Sequence, residues 1–385
     1  MKAPIRVAII TNIVPAYRGD YFRRIFADSA LKVTIFCQNR IPGMNLPSIH
    51  AEFGERVMEI TYQGLDREKF GWQYLPIKHL LQNFDIYFIY GNPRIISNVA
   101  FSLLLRAQGK TVVVEGQLHT GGSFKAFKTI RLAWWRLFKF IYLYNDNEVR
   151  QLQQMAGFSN KVMVGMNNGL NQEAINAAIA IWSPPKLLSW RQEQQLQDHL
   201  LILSCARLEP KNQFQNMIEC LPELLDRFPS LIWCVIGGGQ EAKSLESKAI
   251  ELGVNSAIRW LGPLYDEAQL APWFLSAKVL VHPGSVGLSL LHAFGYGVPV
   301  ITHNNAHHHM PEFAALQPGI NGEIYTYGDK KSMTSKISEL LNNPTRLGLN
   351  ARLTAENRFN TRIMAERFHK ICLLAASHTR NQACE

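Results

Sequence analysis

Short, largely apolar runs alternate along this chain with longer stretches of helical period. Ile5 to Thr11, Leu31 to Cys37, Phe84 to Tyr90, Lys110 to Glu115 and Lys161 to Gly165 read as buried strands in the first half. Leu200 to Cys205, Leu231 to Ile236, Ile258 to Leu261 and Val279 to Val281 read the same way in the second. Most are closed by glycine, proline or asparagine, and most are followed by a helical pattern, as with Tyr21 to Phe26 after the first strand. Unbroken apolar strands alternating with helices predict parallel sheets covered on both faces, so the expected class is α/β with two doubly wound Rossmann-like domains. Asn167-Asn168-Gly169-Leu170-Asn171 closes the first domain. The Gln-rich stretch that follows, with Ser183-Pro184-Pro185, reads as the connection. The boundaries drawn are 1–175 and 176–359. The tail from Lys331 has helical spacing with a break near Asn343-Pro344.

The most informative stretch runs from Val279 to Ile301: strand, a loop with Pro283, Gly284 and Gly287, a helix from Leu288 to Tyr296, a Gly297 cap, then the next strand from Val298. A helix that opens directly after a glycine turn presents unpaired N–H groups and a positive dipole end, which suits a phosphate. An ordinary βαβ turn without ligand has the same spacing.

Charge sharpens the division. Residues 1–170 hold 21 Lys+Arg against 11 Asp+Glu, and the remainder is balanced, so the net +10 lies wholly in the first half. That half is expected to meet an anionic partner. Part of the excess sits in Ser123 to Tyr144, where Lys125, Lys128, Arg131, Arg136 and Lys139 alternate with aromatics, among them Trp134 and Trp135. The stretch reads as a basic amphipathic helix lying on an anionic membrane surface. The plainer reading is a helix with one core face and one solvated basic face. No nucleic-acid module is present, so nucleic acid is not expected as a partner. Six scattered cysteines without a CxxC pair argue for a reducing setting and against structural zinc. No apolar run reaches membrane-span length and no N-terminal signal pattern is seen, so a cytoplasmic protein attached peripherally to the inner membrane face is expected.

With these residues in view, the chain resembles the retaining glycosyltransferases of family 4, which have the GT-B fold. Ser285-Val286-Gly287-Leu288 lies over the family's Gly-Phe-Gly-Leu, and Leu291, Ala293 and Gly297-Val298-Pro299-Val300 also match. The two family glutamates of this motif are replaced by Gly284 and His292. Arg207-Leu208-Glu209-Pro210-Lys211 resembles the family's diphosphate-binding Arg…Lys motif, with Lys211 one residue closer than usual. The resemblance implies two Rossmann-like domains facing a central cleft, with a final helix (about 360–385) crossing back to the first. It implies a nucleotide-sugar donor held by the second domain and a lipid-linked or glycan acceptor over the first. Arg207 and Lys211 would steady the leaving diphosphate, so no metal or other cofactor is expected. His119 would line the cleft. Gly284, Ser285, Val286, Gly287, Leu288, His292 and Glu312 would bind the donor, His292 beside the ribose. Arg18 and Gly19 would lie on the acceptor side. His303, His307, His308 and His309 depart from the family's glycine-rich loop and read as a rim for sugar hydroxyls rather than a metal site. An epimerase of the same fold and a non-catalytic nucleotide-sugar-binding subunit are the rival readings.

Overall fold

The computed structural model describes residues 3–41, 48–65, 69–118, 125–343 and 346–382, with side chains omitted at 125, 126 and 379–382. Along the first half run β1 (Ile5–Ile10), α1 (Gly19–Ala27), β2 (Leu31–Cys37), β3 (Val57–Glu59), β4 (Tyr62–Leu65), β5 (Phe70–Gln73), α2 (Ile77–Asn83), β6 (Ile86–Tyr90), α3 (Ile96–Ala107), β7 (Thr111–Gly116), α4 (Lys125–Trp135), β8 (Phe140–Leu143), α5 (Asp146–Gln153) and β9 (Val162–Gly165). The second half has α6 (Gln172–Ala180), α7 (Pro184–Glu193), β10 (Leu200–Cys205), α8 (Phe214–Arg227), β11 (Leu231–Ile236), α9 (Ala242–Glu251), β12 (Ile258–Gly262), α10 (Glu267–Ser276), β13 (Ala277–Val281), α11 (Leu288–Gly295), β14 (Val300–His303), β15 (Gly322–Tyr325), α12 (Lys330–Asn342), α13 (Leu347–Arg358) and α14 (Thr361–Gln382).

The chain forms two compact units, Met1–Asn168 with Thr361–Glu385, and Gly169–Asn360. Each is built on one parallel sheet. The orders are β3-β2-β1-β6-β7-β8-β9 and β12-β11-β10-β13-β14-β15. In both, the strand order reverses beside the first strand, at β1/β6 and β10/β13, and such a reversal opens a crevice at the strands' carboxyl ends. The unbroken apolar runs follow from burial on both faces. In β10, Leu201 and Leu203 pack with Phe274 and Phe294, while the alternate Ile202 packs with Phe214 and Met217.

The last helix completes the first unit. Met364, Phe368, Ile371, Cys372 and Ala375 are buried in the same layer as Val7, Ile9, Tyr21 and Phe88. The three largest contribute about 2 kcal/mol each by burial alone. Arg367 closes the junction, donating to both oxygens of Asp146 at 2.6 and 3.0 Å and to the Gly165 carbonyl at 2.7 Å. The expected final helix over the first unit is therefore present.

The Gln-rich stretch contains the helices α6 and α7, and Ile175 and Ala178 lie in the second unit's core. Two expectations need correcting. The stretch from Ser123 to Tyr144 is not one helix, because α4 ends at Trp135 and Phe140–Leu143 is an interior strand with every residue buried. And three of the residues expected at a membrane face inward. Trp134 and Trp135 are 5% and 0% exposed, and their indole N–H groups donate to Ser102 Oγ and the Gly91 carbonyl. Arg131 is buried, donates to the Leu118 carbonyl at 2.7 Å and stacks over Trp135. Glycines make the space: a Cβ on Gly91 or Gly116 would lie 2.7 Å from the Trp135 ring. Arg136 and Lys139 remain on the surface and Lys128 is half-buried, beside the exposed Ile130 and Leu137.

Trp135→Ala should therefore cost about 3–5 kcal/mol of unfolding free energy in a urea melt, the range for an aromatic truncated inside a core. A side chain lying on a membrane would give no such loss.

Candidate functional site

The second unit's crevice is made by three loops whose backbones touch. After β10 comes Ala206 to Asn212, and after β13 comes His282 to Gly287. The Ser285 N–H donates to the Lys211 carbonyl at 3.0 Å. A Cβ on Gly284 would lie 2.3 Å from that same carbonyl oxygen and 2.5 Å from the Asn212 backbone. The turn after β11 joins them: a Cβ on Gly237 would meet the Ala206 carbonyl at 1.9 Å, and one on Gly239 the Leu208 carbonyl at 2.3 Å. Buried Asn212 closes its own loop by donating to the Arg207 carbonyl at 2.7 Å.

Arg207 and Lys211 stand on this platform with their side chains 66% and 52% exposed. Glu209, in the same loop, pairs with Arg207 at 2.9 Å and with Lys211 at 3.2 Å. Exposed pairs of this kind stabilise a fold little, but one carboxylate between two cations holds them together. An Arg fork and a Lys point charge side by side suit a diphosphate.

Beyond Gly287, α11 begins with the unpaired N–H groups of any helix start. Its approach is braced from the loop after β14. His309 Nδ1 accepts from the Val286 N–H at 3.2 Å, and the Met310 N–H donates to the Val286 carbonyl at 3.0 Å. Val286, expected at the donor, is thus fully buried and both its backbone groups are engaged. Glu312 is buried too, its Oε2 lying 3.6 Å from where a Gly287 Cβ would stand. That puts a carboxylate beneath the first turn of α11, where the helix dipole favours it. Glu312 and Val286 therefore support the loop. Ser285, Gly287 and Leu288 are partly exposed along it.

The histidine-rich loop is a packed network. His309 stacks on His303 at 4.0 Å and on Phe313 at 4.2 Å, and His303 contacts His308 at 3.2 Å. Burial leads the causes that depress His303 to about 3 and His309 to about 4, so both rings are neutral at pH 7. No group of three or more His, Cys, Asp or Glu among the described residues could hold a metal ion.

His292 lies one turn into α11, only 13% exposed, and its Nε2 sits 3.0 Å from both carboxylate oxygens of Glu267. Tyr296 Oη donates to the same carboxylate at 2.7 Å, and Phe274 packs on both rings. Burial raises the Glu267 carboxyl, but the bonds from His292 and Tyr296 outweigh it and leave it lowered. Sequence reasoning missed Glu267. It arrives from the first turn of α10, and nothing in its local pattern sets it apart from a helix-start acid. Its charge reaches the Cys205 thiol, which burial chiefly, and then Glu267, push up to about 12. Glu267 joins the start of α10 to α11 through His292 and Tyr296.

In the first unit, Arg18 and Gly19 follow β1 at the β1/β6 reversal. Arg18 is 8% exposed, between the rings of Tyr17 and Tyr144. Gly19 opens α1, where a Cβ would lie 2.6 Å from Ile49. Glu115, at the end of β7, is raised by burial against the pull of Arg18. His119 lies outside the described residues, as does the side chain of Lys125.

Comparison with known proteins agrees with this architecture. Residues 188–358 match the family model described as "Glycosyl transferases group 1". The chain superposes on Anabaena Alr3699/HepE, solved in complex with UDP, with a TM-score of 0.69 at 15% identity, covering 95% of this chain and 99% of that one. It superposes likewise on the lipopolysaccharide outer core galactosyltransferase WaaB, TM-score 0.65 at 14% identity, covering 96% and 99%. A D-inositol 3-phosphate glycosyltransferase of Streptomyces griseus is 33% identical over 117 residues, 27% of this chain and 25% of the relative. The chain spans between a quarter and about half of the length of the curated relatives it matches. The fold is GT-B. The match to glycosyl transferases group 1 lies in the second unit, which carries the Arg207–Lys211 loop and α11.

The contact at Gly284 gives a direct test. Any side chain there must displace the Lys211 backbone, so Gly284→Ala should cost about 1–3 kcal/mol, as overpacking does, and Gly284→Glu at least as much. Chemical denaturation checks it. Two variants as stable as the parent would mean that the loops do not touch.

Proposed function

We propose that the protein transfers a sugar, with retention, from a nucleotide-sugar donor to a lipid-linked or envelope-glycan acceptor. The observation that carries this reading is the pair of cations, Arg207 and Lys211, held together by Glu209 on the glycine-packed loops of the second unit's crevice. Expulsion of a nucleoside diphosphate builds negative charge in the transition state, and two fixed cations stabilise it without calling on a metal. The first turn of α11 adds its N–H groups to the same end of the sheet. At the position where family 4 carries its second glutamate, His292 holds the Glu267 carboxylate in place, and Glu267 takes over as acceptor for the donor's ribose hydroxyls. WaaB acts in lipopolysaccharide outer core synthesis. The basic first half fits an acceptor of comparable setting.

Membrane attachment belongs to the same reading in a reduced form. No helix among the described residues is long and apolar enough to cross a membrane. The surface left after the correction above is Lys128, Arg136 and Lys139 around the exposed Ile130 and Leu137, with Leu103 and Leu104 exposed on α3. It serves as a peripheral contact to anionic lipid on the cytoplasmic side.

A thermal-shift screen of UDP, GDP, ADP and their sugars identifies the donor, since a ligand at 100 times its dissociation constant adds about 2.7 kcal/mol. With that donor, Arg207→Ala should lower turnover by about two to three orders of magnitude, the cost of removing one charge-stabilising donor. The melting temperature should hardly move. Unchanged turnover in the Arg207→Ala/Lys211→Ala protein would remove the cations from the mechanism.

The membrane contact is tested by flotation with anionic and neutral vesicles. Replacing Lys128, Arg136 and Lys139 by Gln should weaken anionic-vesicle binding by about 100-fold, at about 1 kcal/mol for each cation near the surface. Equal binding by parent and variant would make α4 a core element alone.

A further inference from the structure

Three imidazoles at and beyond the end of β14 are joined so that each fixes the proton of the next. His303, fully buried, accepts on Nδ1 from the Asn305 N–H at 3.2 Å. A backbone N–H can only donate, so in the neutral ring the proton sits on Nε2. That nitrogen lies 3.2 Å from His308 Nδ1, which must then accept, and His308 in turn keeps its own proton on Nε2. His309 Nε2 lies 2.9 Å from the His303 carbonyl oxygen. A carbonyl can only accept, so His309 also carries its proton on Nε2, and its Nδ1 is left to accept from the Val286 N–H at 3.2 Å. One arrangement of protons satisfies all four bonds. It needs neutral rings, and burial keeps His303 and His309 neutral.

The series ends on the loop that leads into α11. Val286 precedes Gly287, where that helix opens, and Ser285 before it is fixed to the Lys211 carbonyl. Val286 is completely buried, so its N–H without His309 would be an unpaired donor inside the protein. The loop would have to shift to satisfy it. An apolar side chain at 309 could still pack on Phe313, which His309 stacks on at 4.2 Å, but it could not pair that N–H. An amide could, since Asn and Gln offer an acceptor and a donor without charge.

Resting on the glycosyltransferase reading, we infer that His303 and His309 are positioning residues for the donor nucleotide: locked as Nε2–H tautomers, they hold the Val286 N–H and with it the backbone entering the first turn of α11. Both act through Val286 and take no part in bond making.

The test has a spectroscopic and a binding arm, both on the full chain. Long-range proton–nitrogen spectra of the imidazoles, each ring assigned by its loss in His303→Gln, His308→Gln or His309→Gln, should show three Nε2–H tautomers at neutral pH. A proton on Nδ1 of any of the three overturns the inference. In calorimetric titration with UDP, GDP and ADP, His309→Leu should weaken whichever nucleotide binds the parent by about tenfold, the worth of one to two hydrogen bonds. The better of His309→Asn and His309→Gln should recover most of that loss. Equal affinity in a folded His309→Leu protein overturns the inference, and so do amide variants no better than leucine. If His309→Leu does not fold, the Val286 amide resonance of the parent replaces it. Its movement on adding the nucleotide supports the inference, and a fixed resonance at saturation overturns it. Nucleotide binding that ignores position 309 refutes this inference alone, whereas failure of the parent to bind UDP, GDP or ADP refutes the glycosyltransferase reading with it.

Discussion

Close backbone approach at the second unit's strand reversal is the constraint from which the donor side follows. Gly284 lies so near the Lys211 carbonyl that no side chain fits between. The Ser285 N–H donates to the same carbonyl, so the loops after β10 and β13 are fixed to one another through their backbones. The carboxylate that pairs with His292 on α11 comes from α10, as Glu267.

A second consequence concerns rigidity. The histidines expected to rim the donor are stacked and hydrogen-bonded to one another and to the loop. Their neutrality matters, because a charged His309 Nδ1 could not accept from the Val286 N–H. Buried neutral imidazoles thus do what a glycine-rich loop does elsewhere by conformation: they set the path of the backbone entering α11.

The strands were legible because their residues are buried on both faces. Leu31–Cys37, Leu200–Cys205 and Leu231–Ile236 need no neighbour to be recognised. The hairpin of β4 and β5 was not legible. Its Tyr-Gln-Gly-Leu and Phe-Gly-Trp-Gln are half-exposed and carry no apolar run. The Trp-Trp pair misled for a physical reason: indoles with N–H groups look interfacial in sequence, and only Gly91 and Gly116 reveal the slot that admits Trp135. Arg207 and Lys211 could be placed because their loop is local. Glu267 could not, since its partner is 25 positions away and the pairing exists only in three dimensions. Arg18 was placed on the acceptor side by its loop, but its burial between the rings of Tyr17 and Tyr144 appears only in three dimensions.

The first unit's core includes α14, the last helix described, whereas the second unit is continuous from Gly169 to Asn360. During synthesis the order of assembly is therefore inverted. The second unit can finish folding while the first, although made earlier, still exposes the surface that Phe368 and Ile371 will cover. Domains generally fold as they emerge, amino-terminal first. This protein must instead leave its earliest-made sheet uncovered on one face until the segment that carries Phe368 and Ile371 has emerged.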